Sequence, residues 1–392
     1  MEALALLGGP PVRASWLPYA RQTVERDDVD AVARALAADW ITQGPAIAAF
    51  EGALAAHAGV SHAVAVANGT AALEAACWAA GLQADDEVIT TPLTFAATTN
   101  AVIHQGGRPV FADVEPRTLN LDAAAVKRVA SSRTRALFAV DFAGLPCDYD
   151  ALLAVAREHG WTTVADAAHS LGGSYRGRPV GALADMTVLS FHPAKLITTG
   201  EGGAVLPNRA DLAERLRRVR HHGLHYPDAK APWRNEIAEP GHNFRLTDFQ
   251  AALGSSQLAK LARFRAARAR LAQRYRERLA TMQGLELPGL PPEREHGWHL
   301  FVVLLRLERL TADQDTILRA VRAENIGVML HYPLVHLHPF YRARFGSAPG
   351  LCPQAEELER RLVTLPLFPL MTDADQDDVI TALAKVLGHF AR

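Results

Sequence analysis

Cysteine is scarce in this chain. Cys77, Cys147 and Cys352 lie far apart, and none belongs to a Cys-x-x-Cys pair. That excludes a disulfide scaffold and suits a reducing compartment, so a cytoplasmic location is expected. An excess of one charge is also missing. The 41 basic and 42 acidic residues leave a net charge of −1, which argues against nucleic acid as the main partner. Local anion sites need only a few residues and stay open. No apolar run approaches the roughly 20 residues that span a bilayer. The stretch from Met1 to Pro11 has a short apolar patch without a basic leader, so neither a membrane partner nor a signal peptide is expected. Fixed-period repeats and low-complexity segments are absent too.

What is present is a large apolar interior. With 392 residues, 49% of them hydrophobic, the chain exceeds one ordinary core, and two domains are expected, 1–260 and 261–392. Between about residue 25 and residue 210, short apolar runs alternate with Ala-rich helical stretches. The expected strands are His62–Ala67, Glu87–Thr91, Pro109–Val114, Arg135–Phe142, Thr162–Asp166, Met186–Phe191 and Gly203–Leu206. Helices are expected between most of them, over Thr70–Ala80, Leu121–Val129 and Tyr149–Glu158. Runs apolar throughout, rather than alternating, belong to strands buried on both faces. The fold class is therefore α/β, a layered domain around a mainly parallel sheet.

Residues 222–246 carry Pro227, Pro232, Trp233 and Pro240 and read as a long loop. A long helix follows from Thr247, with Gln250 at the capping-box spacing and Phe249, Leu253, Leu258, Leu261 and Phe264 as its buried stripe. A smaller α+β domain completes the chain. It comprises a strand Trp298–Leu305, a helix Ala312–Asn325, a strand Val328–Tyr332 and a last helix Asp373–Leu387.

Several segments carry chemistry. Lys195 follows an apolar strand and precedes the turn Gly200-Glu-Gly-Gly203. A lysine between two strands in this way suits covalent attachment to a carbonyl cofactor, and an ordinary surface lysine on a loop reads the same way from this run alone. Asn68-Gly69-Thr70 joins a strand to a helix, and a helix N-terminus favours an anion; a well-capped helix without ligand reads the same way. Asp166 ends an apolar strand, where open α/β sheets bind ligands, and its carboxylate suits a pyridine nitrogen. His169, three residues on, is in reach of a ring oxygen. Phe95 can stack on a flat ring or belong to the core. His331, His336 and His338 have a spacing that raises a metal site, yet no Cys, Asp or Glu completes it, Pro333 interrupts it and Pro339 follows it. No metal is expected, and a polar wall for an anionic substrate suits these histidines better.

Taken together, these segments resemble the DegT/DnrJ/EryC1/StrS family of sugar-nucleotide aminotransferases. The resemblance runs from Leu17 to the last helix. It rests on Thr42-Gln-Gly-Pro45, Asn68-Gly-Thr70, Thr91-Pro-Leu-Thr-Phe95, Asp166-Ala-Ala-His169, Ser190-Phe-His-Pro-Ala-Lys195, Gly200-Glu-Gly-Gly203 and Asn243-Phe-Arg-Leu-Thr-Asp248. It implies a pyridoxal 5′-phosphate enzyme of fold type I, aspartate-aminotransferase-like. The large cofactor-binding domain with its N-terminal arm would take residues 1–260, and a small domain the rest. By the same resemblance, Lys195 anchors the cofactor and shuttles protons, Asp166 pairs with its pyridine nitrogen and His169 lies near its ring oxygen. Phe95 stacks on the ring, and Gly69, Thr70 and Ser190 hold its phosphate. Asn243 would reach the phosphate in a neighbouring subunit, which implies a homodimer with shared active sites.

Three stretches, Leu17–Gln22, Asp39–Pro45 and Val328–Tyr341, are similar to the family branch that serves pseudaminic acid biosynthesis. That similarity implies L-glutamate as amino donor and a UDP-linked 4-keto sugar as acceptor. Sugar contacts are then expected near Tyr19, Thr42, Gln43, His331 and Tyr332, while Arg245 suits either a substrate carboxylate or a cap on the following helix. The turn Asn68-Gly69-Thr70 departs from that branch toward the wider family, so another nucleotide-linked keto sugar is the main rival. A 3-dehydratase of the same family, with histidine for the lysine, is opposed by Lys195. A non-catalytic regulator is opposed by the intact set of Phe95, Asp166, His169, Ser190 and Lys195.

Overall fold

The apolar runs of the first half assemble into one seven-stranded sheet. Its strands are β1 (Val64–Val66), β2 (Glu87–Thr90), β3 (Arg108–Phe111), β4 (Thr134–Val140), β5 (Thr162–Asp166), β6 (Met186–Ser190) and β7 (Gly203–Pro207). The order across the sheet is β1-β7-β6-β5-β4-β2-β3. Neighbours from β3 through β6 run parallel, while β7 runs antiparallel to both β6 and β1. The structure, a computed structural model, describes residues 3–228, 230–231 and 233–392.

Side chains of a strand alternate between its two faces, and here each face meets its own core. Phe138, Val164 and Val188 point into a layer shared with Leu73, Val102 and Leu216. Leu137, Ala165 and Leu189 point into the opposite layer, with Phe50, Leu152 and Phe264. Both faces are covered, which is why these strands read as continuous apolar runs. Helix α1 (Arg26–Leu36) packs against residues 248–259, and the helices that cover the sheet include α2 (Pro45–Ala58), α3 (Gly69–Ala79), α4 (Ala97–His104), α5 (Ala123–Val129), α6 (Tyr149–His159) and α7 (Ala210–Arg220).

The helix expected from Thr247 is two helices, α8 (Asp248–Ala259) and α9 (Leu261–Leu279), meeting at Lys260. Its capping box forms as the spacing predicts, but its buried stripe differs. Asp248, Ala251, Gly254 and Gln257 face inward, whereas Phe249, Leu253 and Leu258 stay partly exposed. The polar members are buried because each is satisfied. Asp248 accepts from the amides of Gly44 and Ala46 at 2.8 and 3.0 Å, and Gln257 donates to Thr23 O and Asp28 at 2.9 and 2.8 Å. Gly254 leaves room for Phe50, whose ring would lie 2.6 Å from a Cβ there.

A second, three-stranded antiparallel sheet has the order β8 (Leu285–Glu286), β9 (Phe301–Leu305) and β10 (Leu362–Leu365). Its core joins α9, α10 (Gln314–Ala323) and α11 (Asp373–His389), and includes Leu4 and Leu17 from the N-terminal arm. The strand expected over 328–332 does not form; Met329 alone bridges Thr364. The segment instead turns its rings toward the large sheet. Nor is 222–246 loop throughout, since Leu224–His225 pairs with Glu236–Ile237 as a short hairpin. Pro232, part of that expectation, lies outside the described residues.

Candidate active site

The carboxyl ends of β5 and β6 open into a cavity of about 700 Å³. Tyr19, Gly69, Thr70, Phe95, Asp166, His169, Ser190, Lys195, His331 and Tyr332 all line it. These ten expected site residues come from distant parts of the chain and meet in one place. The remaining expected residues do not line it. Gln43 and Arg245 border a second cavity of about 530 Å³. Thr42 bridges Thr247, and Asn243 bridges His221, both in antiparallel fashion.

At the floor, Asp166 is buried and accepts from Thr98 Oγ1 at 2.7 Å and from the Ala168 amide at 3.3 Å. Thr98 in turn shares a hydrogen bond with Thr94 at 2.8 Å. Burial raises the Asp166 pKa above the usual carboxylate value, while the Thr98 bond and the Lys195 charge pull it back. The site is thereby suited to a cationic group on the carboxylate. Lys195 is part-buried at the cavity wall, and the protein packed around its amine lowers its pKa to about 8, with Asp166 opposing that shift. A lysine so placed sheds its proton far more readily than a free one.

The phosphate turn is a tight cradle. Asn68 Oδ1 caps α3 by accepting from the Ala71 amide at 2.8 Å. A Cβ on Gly69 would lie 2.9 Å from Ser190 Cβ and 3.0 Å from its Oγ, so the turn and Ser190 touch only because residue 69 is glycine. A Cβ on Gly203 would likewise strike Asn68 O at 2.5 Å. Backbone N–H groups, a hydroxyl from Thr70 and one from Ser190 therefore converge on one end of the cavity.

Aromatic side chains form the remaining walls. Phe95 is 60% exposed although it lies inside a cleft. An apolar ring left bare in a cavity is a face for a flat ligand. Tyr332 hydroxyl and His169 Nε2 are 3.1 Å apart, and His169 Nδ1 is buried without a partner. His331 Nδ1 is 3.0 Å from Thr364 Oγ1, and its ring centroid lies 5.1 Å from that of Tyr19. Burial lowers the His331 pKa to about 4 and that of His169 well below the ordinary value, with the Lys195 charge adding to both. Of the histidine trio, only His331 belongs here. His336 is fully buried against Glu356, at 3.0 Å, and His338 is exposed at the start of the Pro339–Phe345 helix.

Sequence reasoning missed several lining residues. Thr98 had a readable signal, lying three residues beyond Phe95 on the first turn of α4. Asn68 was visible as a cap. His299 fell inside the expected strand Trp298–Leu305 and Phe244 inside the motif Asn243–Asp248, but neither reading singled the residue out, and both lie on irregular chain brought in by the fold.

The geometry matches known proteins. A family model described as the DegT/DnrJ/EryC1/StrS aminotransferase family matches residues 22–384. The chain belongs to this family. It is 37% identical over 381 residues to the spore coat polysaccharide biosynthesis protein SpsC of Bacillus subtilis, covering 96% of this chain and 98% of that protein. Among solved structures it resembles Helicobacter pylori PseC, an aminotransferase involved in the biosynthesis of pseudoaminic acid. The TM-score is 0.90 at 30% identity, over 96% of this chain and 100% of that one. It also resembles DesI, solved in the presence of its TDP-sugar product, with a TM-score of 0.88 at 34% identity over 97% and 95% of the two chains. The fold is that of the type I pyridoxal phosphate enzymes, and the protein is a sugar aminotransferase whose cofactor is pyridoxal 5′-phosphate. The residues fit that group: a Gly69 cradle for phosphate, a bare Phe95 ring, a buried carboxylate and a readily deprotonated lysine. Among the described residues no helix is long and apolar enough to cross a membrane.

Proposed function

We propose that this aminotransferase moves an amino group from L-glutamate to the C4 keto group of a UDP-linked 4-keto-6-deoxy-N-acetylhexosamine. The product is UDP-4-amino-4,6-dideoxy-N-acetyl-β-L-altrosamine. The observation that carries this reading is the wall of Tyr19, His331 and Tyr332 facing the Lys195 amine, built from two of the three stretches that resemble the pseudaminic branch. When bound, the cofactor supplies an electron-withdrawing ring that accommodates charge at a carbon losing its proton. Asp166 holds a proton on the pyridine nitrogen. Gly69, Thr70 and Ser190 bind the phosphate at the α3 N-terminus. Phe95 covers one ring face, and His169 lies at the ring oxygen. Lys195 anchors the cofactor and carries the proton between the two carbons that exchange it.

Asn243, Gln43, Thr42 and Arg245 act across a homodimer interface in this reading. They lie outside the Lys195 cavity of their own chain, and the second cavity gathers Arg217, Arg218, Arg220 and Arg245, a cationic lining suited to a diphosphate. A second reading, a different nucleotide-linked keto sugar, draws support from the 34% identity to a relative with a TDP-sugar product. The reverse half-reaction separates the two. The yellow loaded protein is mixed separately with the L-altro amino sugar, its D-gluco isomer and a TDP-linked 4-amino sugar, and bleaching of the cofactor band is followed. Bleaching by the L-altro sugar alone is expected; bleaching by either of the others alone overturns the substrate assignment.

A further inference from the structure

His299 stands beside the Lys195 amine and has no part in the roles above. Its Nε2 lies 3.4 Å from Lys195 Nζ. The residue is 4% exposed, and its other ring nitrogen, Nδ1, is buried without a hydrogen-bond partner. Among the described residues, the lysine amine is the one polar partner of this imidazole. The large majority of buried polar side-chain atoms have at least one hydrogen-bond partner, and for this ring that partner is the lysine amine.

The backbone around it is built to hold that position. Trp298 sits in the left-handed region at φ 57°, a conformation that non-glycine residues adopt at a cost and that clusters at functional sites. The Trp298 amide donates to His296 Nδ1 at 2.8 Å, and the two rings stack with centroids 3.9 Å apart. From behind, the buried Arg268 donates to the carbonyls of Trp298, His299 and Leu367 at 3.3, 3.2 and 2.8 Å. The His169 ring packs against His299 with centroids 4.4 Å apart. Lys195, His169, Arg268 and His331 are the charged and titratable groups that face the ring, and Asp166 faces the lysine. Burial foremost, then the Lys195 charge, holds the imidazole well below its ordinary pKa, so it is neutral and one nitrogen is free to accept.

We propose that His299 is the positioning residue for Lys195, its Nε2 accepting a hydrogen bond from Nζ whenever the lysine is free of cofactor. The inference rests on Lys195 being the anchor and proton carrier. The bond keeps the amine at the cavity wall between departures and returns. An ammonium donates more strongly to such an acceptor than an amine does. Loss of the acceptor therefore favours the amine and lowers the lysine's apparent pKa.

The test uses cofactor-free protein. Trace acetylation of Lys195 by acetic anhydride is followed by mass spectrometry across pH. The wild-type midpoint is expected near pH 8. His299→Phe should lower it by about one unit, a roughly tenfold change in the equilibrium. The loaded variant should lose about tenfold in kcat with KM for glutamate little changed, the mark of a misplaced rather than an unbound group. His299→Gln, whose amide oxygen can accept, should recover most of both. An unmoved midpoint in His299→Phe, or a Gln variant no better than Phe, overturns the proposal. If the Phe variant does not fold, ¹⁵N spectra of the wild-type imidazole decide: a bare Nε2 supports it, and a proton on Nε2 overturns it. Borohydride reduction of the loaded wild type and mapping of the tagged peptide tests the underlying reading separately. A tag on a residue other than Lys195 would sink that reading whatever His299 does.

Discussion

Two cavities of this chain are built from opposite materials. The first, about 700 Å³, is floored by parallel strand ends and walled mostly by buried or part-buried side chains, with the Phe95 ring left bare. It holds few charged residues, Lys195, Asp166, Glu74 and Glu201, and Asp166 faces Lys195. The second, about 530 Å³, is bordered by α2, α7 and the hairpin that follows α7, and it carries several arginines. There Arg220 pairs with Glu51, Arg218 lies 3.8 Å from Glu239, and Arg245 leans on His221 at 2.9 Å. Low dielectric and scarce charge suit moving a proton; clustered cations at a surface suit gripping an anion. In the proposed reading, proton transfer belongs to the first cavity and the grip on an anion to the second, and a second copy of the chain would bring the two together.

The largest expected effect falls on the first cavity. Lys195→Ala should abolish transamination, by about 10³-fold or more, and remove the covalently held cofactor band, read by absorbance and by steady-state rate. An active Lys195→Ala enzyme would break the contrast, because chemistry would then not depend on the buried site. The next is a mixing experiment. Lys195→Ala chains and Arg245→Ala chains are refolded together. If sites are shared across a dimer, hybrids carry one intact site, and about a quarter of wild-type activity should return by symmetry and random pairing. No recovery, with hybrids present, would place Arg245 in its own chain's site. The smallest effect concerns stability. Asp28 is fully buried and accepts from Ser256, Gln257 and the Glu25 amide, with Lys260 at 2.7 Å. Asp28→Ala should cost about 2–4 kcal/mol in urea unfolding, since it leaves those donors unsatisfied, while changing kcat little.

The same contrast explains what was legible beforehand. Asp166, Ser190 and Lys195 each end or follow an apolar run, and a run buried on both faces announces itself. Asn68-Gly69-Thr70 was legible because a cap and a glycine mark a helix start in any fold. The proposed residues that do not line the first cavity have no such frame. Thr42 and Arg245 lie on irregular chain whose neighbours come from far away in sequence. Periodicity also failed where polar residues took an inward face. Asp248 and Gln257 are buried on α8 because distant backbone groups satisfy them, and no apolar stripe can predict that. The segment 328–332 is apolar enough for a strand, yet most of its backbone finds no partner strand. His299 was invisible for a similar reason, being fixed by an arginine from α9.

The antiparallel return of β7 has a consequence for how this protein tolerates change. Gly203 pairs with Ser190 on one side and with Val66 on the other, and it packs against the Asn68 carbonyl. The lysine-bearing stretch 191–202 is therefore a closed loop whose two feet stand on the phosphate turn itself. An insertion there would shift the anchor and the cradle together, so its length is pinned by two independent requirements. Among the described residues, Leu224–His225 and Glu236–Ile237 pair with each other and with no strand of the large sheet, so a change in the length of that hairpin is expected to leave the lysine in place.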